Sequence, residues 1–295
     1  MISGHANVEM AVESLKLGAY EFITKPFATA QLLNFISRAL ENINLKKENV
    51  QLENKLFHSF DLIGESNQII KIKKLVNKLS STDSRVLVSG PTGSGKELVA
   101  RKIHKNSDRS KNPFVVLNGA SLQPDNYELE LFGSETKDGN ITHGFLEKAA
   151  NGTLLIDEVS EIPLDTQSKI LRVLIDQKFK RINGSKDIHV NIRIISSTSK
   201  DLKNEVTIGN FREDLYHRLN VVPIEIPKLS DRPDDIPLLI KYFQKKISEI
   251  NGIPEIHLNV DEELLYSYDW PGNVRELRNL VERISILSQN ENKSN

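Results

Sequence analysis

Gly90-Pro91-Thr92-Gly93-Ser94-Gly95-Lys96 has the spacing of a loop that wraps backbone N–H groups around nucleotide phosphates, which points to ATP or GTP. Gly93 and Gly95 let the backbone approach an anion closely, a helix N-terminus behind them adds partial positive charge, and Lys96 reaches the β- and γ-phosphates. Glu97 stands where Ser or Thr would offer Mg²⁺ a hydroxyl, so a metal there leans on phosphate oxygens, water and a distant carboxylate. Thr153-Leu154-Leu155-Ile156-Asp157-Glu158 supplies that carboxylate, being an apolar run that ends in two acids. Asp157 suits Mg²⁺, directly or through water, and Glu158 suits the orientation and deprotonation of an attacking water. Alone, such a pair is as often a strand-end turn; together with Lys96 it points to hydrolysis.

These residues need strands and helices to hold them. Arg85 to Ser89 reads as a short buried strand through Val86, Leu87 and Val88, and Glu97 to Lys105 continues as a helix, so the order is strand, glycine turn, helix. Thr153 to Ile156 reads as a buried central strand whose C-terminal end faces the ligand crevice. A chain of 295 residues suggests one large or two modest domains with a real core. Its net charge of −1 leaves no electrostatic footprint for tight DNA binding by this segment. There is no Cys for disulfides or thiolate chemistry, which suits a reducing cytosol. Met1 to Tyr20 has no signal-peptide pattern, and no run of about 18 apolar residues occurs. A soluble, cytoplasmic chain without membrane contact is expected.

Residues 1–40 open on Ile2-Ser3-Gly4, which reads as a strand end, followed by helical periodicity from Val8 to Leu17, a short strand at Tyr20 to Thr24 and a turn at Lys25-Pro26-Phe27. Through Ser3-Gly4-His5, Gly18-Ala19-Tyr20-Glu21-Phe22 and Lys25-Pro26-Phe27 this stretch resembles the C-terminal part of a response-regulator receiver domain. The resemblance implies that Ser3 and Lys25 contact a phosphoryl group and that Phe22 is the switch aromatic. It also implies an acceptor Asp upstream of residue 1, so that these residues are not themselves phosphorylated there. Part of a doubly wound domain cannot cover both faces of its sheet and is expected to be marginal alone. From Leu33 to Phe57, Ile36, Ile43, Val50 and Phe57 recur every seven residues, with Leu33 and Leu40 filling the other seam positions. Lys47 and Asn54 weaken the later seam, so residues 41–59 read as a linker helix that either forms a coiled coil or packs on the next domain.

From residue 60 onward the chain resembles the AAA+ module of sigma-54-dependent, NtrC-type response regulators. The resemblance rests on Ile63-Gly64-Glu65-Ser66, Gly90 to Glu97, Glu130-Leu131-Phe132-Gly133, Asp157-Glu158, Phe211-Arg212-Glu213-Asp214-Leu215 and Trp270-Pro271-Gly272-Asn273-Val274-Arg275-Glu276-Leu277. Arg193-Ile194-Ile195-Ser196-Ser197 and Tyr216-His217-Arg218-Leu219 are most like the NtrX branch. The implied fold is α/β: an AAA+ P-loop NTPase with a parallel sheet sandwiched by helices over 60–228 and a small helical lid over 229–295, preceded by the partial receiver domain. Carried over residue by residue, the resemblance places Ile63 and Gly64 beside the adenine and has Asn118 hydrogen-bond Glu158 until γ-phosphate is sensed. It makes Arg212 and Arg218 arginine fingers that reach the ATP of a neighbouring subunit, and Arg275 the lid arginine on phosphate. A trans finger is worth about 10³ to 10⁵ in rate in other NTPases, so activity would require a homo-oligomer. The alternative for Arg212, beside Glu213 and Asp214, and for Arg275, beside Glu276, is a surface ion pair.

Two positions depart from the family pattern. The Gly-Ala-Phe-Thr-Gly-Ala loop that grips sigma-54 is absent, and Ser134 to His143 is shorter and reads as an exposed polar turn. The sensing position after Thr198, usually Asn, is Ser199, a shorter hydrogen-bonding arm expected to weaken sensing. The expected function is the ATP-binding, ATP-hydrolysing core of a two-component transcription regulator with its sigma-factor contact in doubt. The alternative is an ATP-dependent assembly module in which turnover is incidental. A kinase is disfavoured because no kinase catalytic-loop Asp set is present. The cognate sensor kinase would act through a complete receiver domain, and DNA would be bound only by a C-terminal domain beyond the polar stretch that follows Leu287.

Overall fold

The computed structural model describes residues 2–3, 23–27, 32, 61–122, 126–252, 254 and 262–291. Residues 1–59 and 60–295 form two separate compact units. In the first, β1 (Ile2–Ser3) pairs in parallel with β2 (Ile23–Thr24), Ile2 opposite Ile23, so the strand end read at Ile2-Ser3 has a partner in the next short strand. Ile23 is buried and Lys25 exposed. Phe22, the helix expected over Val8 to Leu17 and the heptad seam of Ile36, Ile43, Val50 and Phe57 lie outside the described residues.

The second unit is built on a five-stranded parallel sheet in the order β11-β3-β10-β7-β4. Its strands are β3 (Val86–Ser89), β4 (Phe114–Asn118), β7 (Thr153–Asp157), β10 (Arg193–Thr198) and β11 (Val222–Glu225). Because strand side chains alternate between faces, a sheet covered on both sides needs apolar residues at consecutive positions. β7 meets that requirement in three successive residues. Leu154 and Ile156 enter one core with Leu87, Ile194 and α3 (Leu164–Asp176), which contributes Ile170, Val173 and Leu174. Leu155 points into the other core, with Val86, Val88 and Ile195. That second core is closed by α1 (Asn67–Ser80), through Ile69, Ile72, Val76 and Leu79, and by α2 (Lys96–Lys105), through Val99, Ala100 and Ile103. Both helices present their apolar residues at the three-to-four spacing that makes one buried stripe.

A third cluster of Leu229, Ile236, Leu239, Leu265, Trp270 and Leu277 joins α5 (Asp235–Asn251) to α6 (Asn273–Glu291), with Ile63 packed against it. The short α4 (Glu213–Leu219) lies against α3, burying Leu215 and Leu219. Ser134 to His143 is an exposed polar turn from Thr136 onward, and its two ends pair. Ser134–Glu135 (β5) and Ile141–Thr142 (β6) form an antiparallel hairpin with Ser134 opposite Thr142, closed by Thr136 N–H on Asn140 O at 3.0 Å. Glu135 N–H donates to Ile182 O at 3.0 Å, which ties the hairpin to the neighbouring ribbon of β8 (Lys178–Phe179) and β9 (Ile188–His189). Among the described residues no helix is long and apolar enough to cross a membrane.

Leu155 is fully buried at the centre of the sheet, whereas Ile141 on the hairpin is 48% exposed. Leu155→Ala is therefore expected to cost about 2–5 kcal/mol in urea unfolding. Ile141→Ala should stay within about 0.5 kcal/mol in the same measurement.

Candidate functional site

The phosphate-type loop joins β3 to α2. Gly95, the residue before α2, has φ 108°, and a Cβ there would meet nothing within 4 Å. The position therefore demands glycine for its backbone alone and opens onto free space at the helix N-terminus, where partial positive charge favours an anion. The Ser94 hydroxyl is buried beside it without a partner. Lys96, 7% exposed, donates from Nζ to Gly90 O at 3.0 Å and pairs with Glu158 Oε1 at 3.0 Å. Glu97 turns along α2 to Arg101, at 2.6 Å.

Sheet order brings the second half of the site to this loop. β10 lies between β3 and β7, so Ser197, Thr198 and Ser199 at its C-terminal end separate the loop from the two acids. Thr198 O accepts from Gly90 N–H at 3.2 Å, and the Ser197 hydroxyl donates to Asp157 Oδ1. Glu158 leaves β7 in the left-handed region, φ 54° and ψ 56°, a conformation costing a non-glycine residue on the order of 1–3 kcal/mol. Its Oε2 accepts from both Ser199 N–H and Ser199 Oγ at 2.8 Å. Burial raises the Glu158 pKa, but the hydrogen bonds from Ser199 and Lys96 outweigh it and hold the carboxyl below its ordinary value. Glu158 is thus an ionised carboxylate with a restrained geometry.

The other candidate residues make contacts of their own. Asn118 does not hold Glu158. Its Oδ1 accepts from Ala120 N–H at 3.0 Å and caps the turn that follows β4, while Glu158 is turned toward β10, on the opposite side of β7 from β4. Ser199, for all its shorter arm, reaches Glu158 with both its N–H and its hydroxyl. Arg212 is in the surface ion pair that was its alternative, with Nε and Nη2 at 3.0 and 2.7 Å from the Asp214 carboxylate. Arg218, also exposed, donates to Leu174 O at 3.4 Å. Neither arginine bonds to the loop or to the two acids. Arg275 is exposed and does not pair with Glu276, whose carboxylate is taken by Gly272 N–H and Tyr268 Oη; its own backbone N–H donates to Gly93 O at 3.2 Å. Ile63 packs on the third core cluster and Gly64 is buried, its carbonyl accepting from Lys73 Nζ at 2.7 Å. Among the described residues no three His, Asp or Glu side chains gather into a metal cage. Asp157 is the protein carboxylate that could reach a magnesium ion otherwise held by phosphate oxygens and water.

Residues 62–225 match the sigma-54 interaction domain, and residues 230–293 match the AAA+ ATPase lid domain. The chain belongs to the sigma-54 interaction family. This family member is 47% identical over 290 residues to the nitrogen assimilation regulatory protein NtrX of Azorhizobium caulinodans, spanning 98% of the chain and 64% of that protein. It is 36% identical over 296 residues to the DNA-binding transcriptional regulator NtrC of Proteus hauseri, spanning 99% of the chain and 63% of that protein. The crystal structure of NtrX from Brucella abortus in complex with ADP superposes with a TM-score of 0.78 at 45% identity, covering 98% of the chain and 65% of that structure. The complex of the same protein with ATP gives a TM-score of 0.78, covering 98% and 63%. The chain thus spans a little under two thirds of these relatives' length. Residues 62–293 are an AAA+ module with the parallel α/β sheet and lid of that fold, similar to the one in NtrX/NtrC-type response regulators.

Contacts that local sequence reading passed over are those made across the fold by this sigma-54 interaction module. Arg232 and Asp235 are 3% and 0% exposed, Arg232 donates to Ser94 O, and Asp235 accepts from Glu65 and Ser66. An Arg and an Asp three apart at a helix start was the available signal, but the spacing is common on exposed helices as well. Removing the Ser199 hydroxyl removes a bond that lowers the Glu158 pKa. Ser199→Ala is therefore expected to move the Glu158 titration upward, as followed by carboxyl ¹³C chemical shift in nucleotide-free protein.

Proposed function

We propose that this chain binds ATP and hydrolyses it between subunits as the engine of a two-component transcription regulator. The observation that carries the reading is the Lys96–Glu158 pair at 3.0 Å, set at the mouth of the glycine loop with Glu158 gripped by Ser199. Lys96 is a cation satisfied here by a carboxylate and free to exchange it for a phosphate oxygen; the exchange releases Glu158. Glu158, ionised at neutral pH and restrained by Ser199, then takes a proton from the attacking water. The glycine loop holds the phosphates through its N–H groups and the α2 N-terminus. Asp157 and the phosphates would hold Mg²⁺, which neutralises charge on the β- and γ-oxygens. Ile63 and Gly64 border the adenine. The ADP and ATP complexes of the Brucella relative support nucleotide binding by the same fold.

Arg212 and Arg218 are assigned to a neighbouring subunit's site, in keeping with their exposure and their distance from this subunit's loop in the hydrogen-bond network. The working state is then a homo-oligomer. In the complete protein a sensor kinase signals through the receiver domain, a separate C-terminal domain meets DNA, and sigma-54 is the family's output partner. The hairpin at Ser134 to His143, lacking the Phe-Thr loop, favours a second reading in which ATP sets an assembly and turnover is slight.

Lys96→Ala is expected to weaken ATP binding at least tenfold, the effect of losing one charge-assisted contact. Glu158→Gln should keep binding and lose about 10² to 10⁴ in kcat. With Arg212→Ala, phosphate release measured across a protein-concentration series should lose its cooperative rise and about 10³ in rate. ATP-dependent assembly without phosphate release in the parent protein would decide for the second reading.

A further inference from the structure

A loop that offers its N–H groups to an anion must turn its carbonyls the other way, and each buried carbonyl then needs a donor of its own. Every carbonyl from Gly90 to Gly95 has one. Gly90 O accepts from Lys96 Nζ at 3.0 Å, Pro91 O from Ser94 N–H at 3.2 Å and Gly95 O from Val99 N–H at 3.2 Å, all within the loop and α2. The three carbonyls in the middle are served from elsewhere. Thr92 O accepts from Asn273 Nδ2 at 3.1 Å, Gly93 O from Arg275 N–H at 3.2 Å and Ser94 O from Arg232 Nη2 at 3.3 Å. All three donors belong to the lid. Among the described residues, the N–H groups of Thr92, Gly93 and Gly95 have no protein partner.

The lid donors are themselves fixed. Asn273 is 3% exposed and sits at φ 52°, a left-handed position that Asn tolerates, and its Oδ1 accepts from Leu229 N–H at 2.9 Å. Arg232 lies 3.9 Å from Asp235 Oδ2, and Asp235 in turn accepts from Glu65 N–H at 2.7 Å and from Ser66 N–H and Oγ at 2.9 and 2.7 Å. Arg232 Nε has no partner, so the guanidinium is placed for Ser94 and Asp235 at the cost of one buried donor. Gly93, at φ 76°, has no room for a Cβ, which would collide with Gly272 O of the lid.

We propose that Asn273 and Arg232 are positioning residues for the nucleotide site, holding the carbonyls of Thr92 and Ser94 outward so that the loop's N–H groups stay aimed at phosphate. The lid is then the back wall of the phosphate site, and its docking and the loop's geometry are one equilibrium. Arg232 extends the same contact through Asp235 to the segment beside Ile63 and Gly64, so both ends of a bound nucleotide are set by one buried pair. This inference rests on the nucleotide reading above.

The test uses the full chain, a fluorescent ATP analogue and amide hydrogen exchange without nucleotide. Asn273→Asp keeps the acceptor for Leu229 N–H but replaces the donor to Thr92 O with a second acceptor. It is expected to lower affinity for the analogue about tenfold and to speed exchange at Ser94 and Arg275, whose N–H groups are bonded to Pro91 O and Gly93 O, by a similar factor, with β7 unchanged. Arg232→Met should do the same and Arg232→Lys should recover part of the loss, which also covers the case of an Asn273 variant that fails to fold. If Lys96→Ala abolishes binding while Asn273→Asp and Arg232→Met bind and exchange like the parent, the clamp is wrong and the nucleotide site stands. If Lys96→Ala binds like the parent, the nucleotide reading falls first, and this inference with it.

Discussion

The pairing of Lys96 with Glu158 across the end of β10 is the interaction around which the described structure is arranged. Lys96 follows β3 and Glu158 follows β7, two strands that are not neighbours. Their side chains meet because β10 is inserted between them and ends level with both, Ser196 beside Leu87 in one direction and Ile156 in the other. Apolar residues along both faces of these strands keep the three ends in register, since a sheet sealed by helices on each side cannot slip by one residue without exchanging its two cores. The buried lysine is tolerated because its charge is answered. Without Glu158 and the Gly90 carbonyl, an ammonium 7% exposed would lose its solvation and gain nothing.

The parts of this site that were legible in the sequence are those whose chemistry is local. Gly93, Gly95 and Lys96 act through backbone conformation and a helix start within a few residues, and Leu154 to Glu158 announces both its burial and its end in one run. Contacts that depend on which way a side chain turns in the finished fold were not legible. Asn118 and Glu158 end adjacent strands, and nothing in the chain says that Glu158 turns toward β10 while Asn118 caps its own turn. That Ser199 reaches Glu158 with two donors was not legible for a related reason. A short side chain held 2.8 Å away by a fixed backbone does the work of a longer one, and the backbone's position comes from the sheet.

The hairpin from Ser134 to Thr142 shows the same limit from the other direction. Its composition is that of a turn, yet ion pairs from outside the segment give it a place. Arg181 sets Nε and Nη2 at 2.8 and 2.6 Å from Glu147, which also accepts from His143 Nδ1 at 2.7 Å, and Arg181 Nη1 lies 3.7 Å from Glu135. Burial raises the Glu147 pKa, and the bonds from Arg181 and His143 bring it below the ordinary value, so the anchor is ionised at neutral pH. A segment shorter than the family's sigma-54 loop is in this way fixed to the β8–β9 ribbon at its base, and whatever the module presents to a partner is presented from a defined position.

Arg212 raises the question of whether a contact made within one subunit opposes a role in another. Its pairing with Asp214 is short and bidentate, which is the strong form of an arginine–carboxylate bond. Both side chains are nonetheless more than two fifths exposed, and solvent and salt screen such a pair until little of its attraction remains. A phosphoryl group enclosed between subunits is a different partner, with more charge, less water and a transition state whose stabilisation by an arginine changes rates by about 10³ to 10⁵. On the proposed intersubunit reading, the weaker pairing would yield to the stronger when two subunits meet.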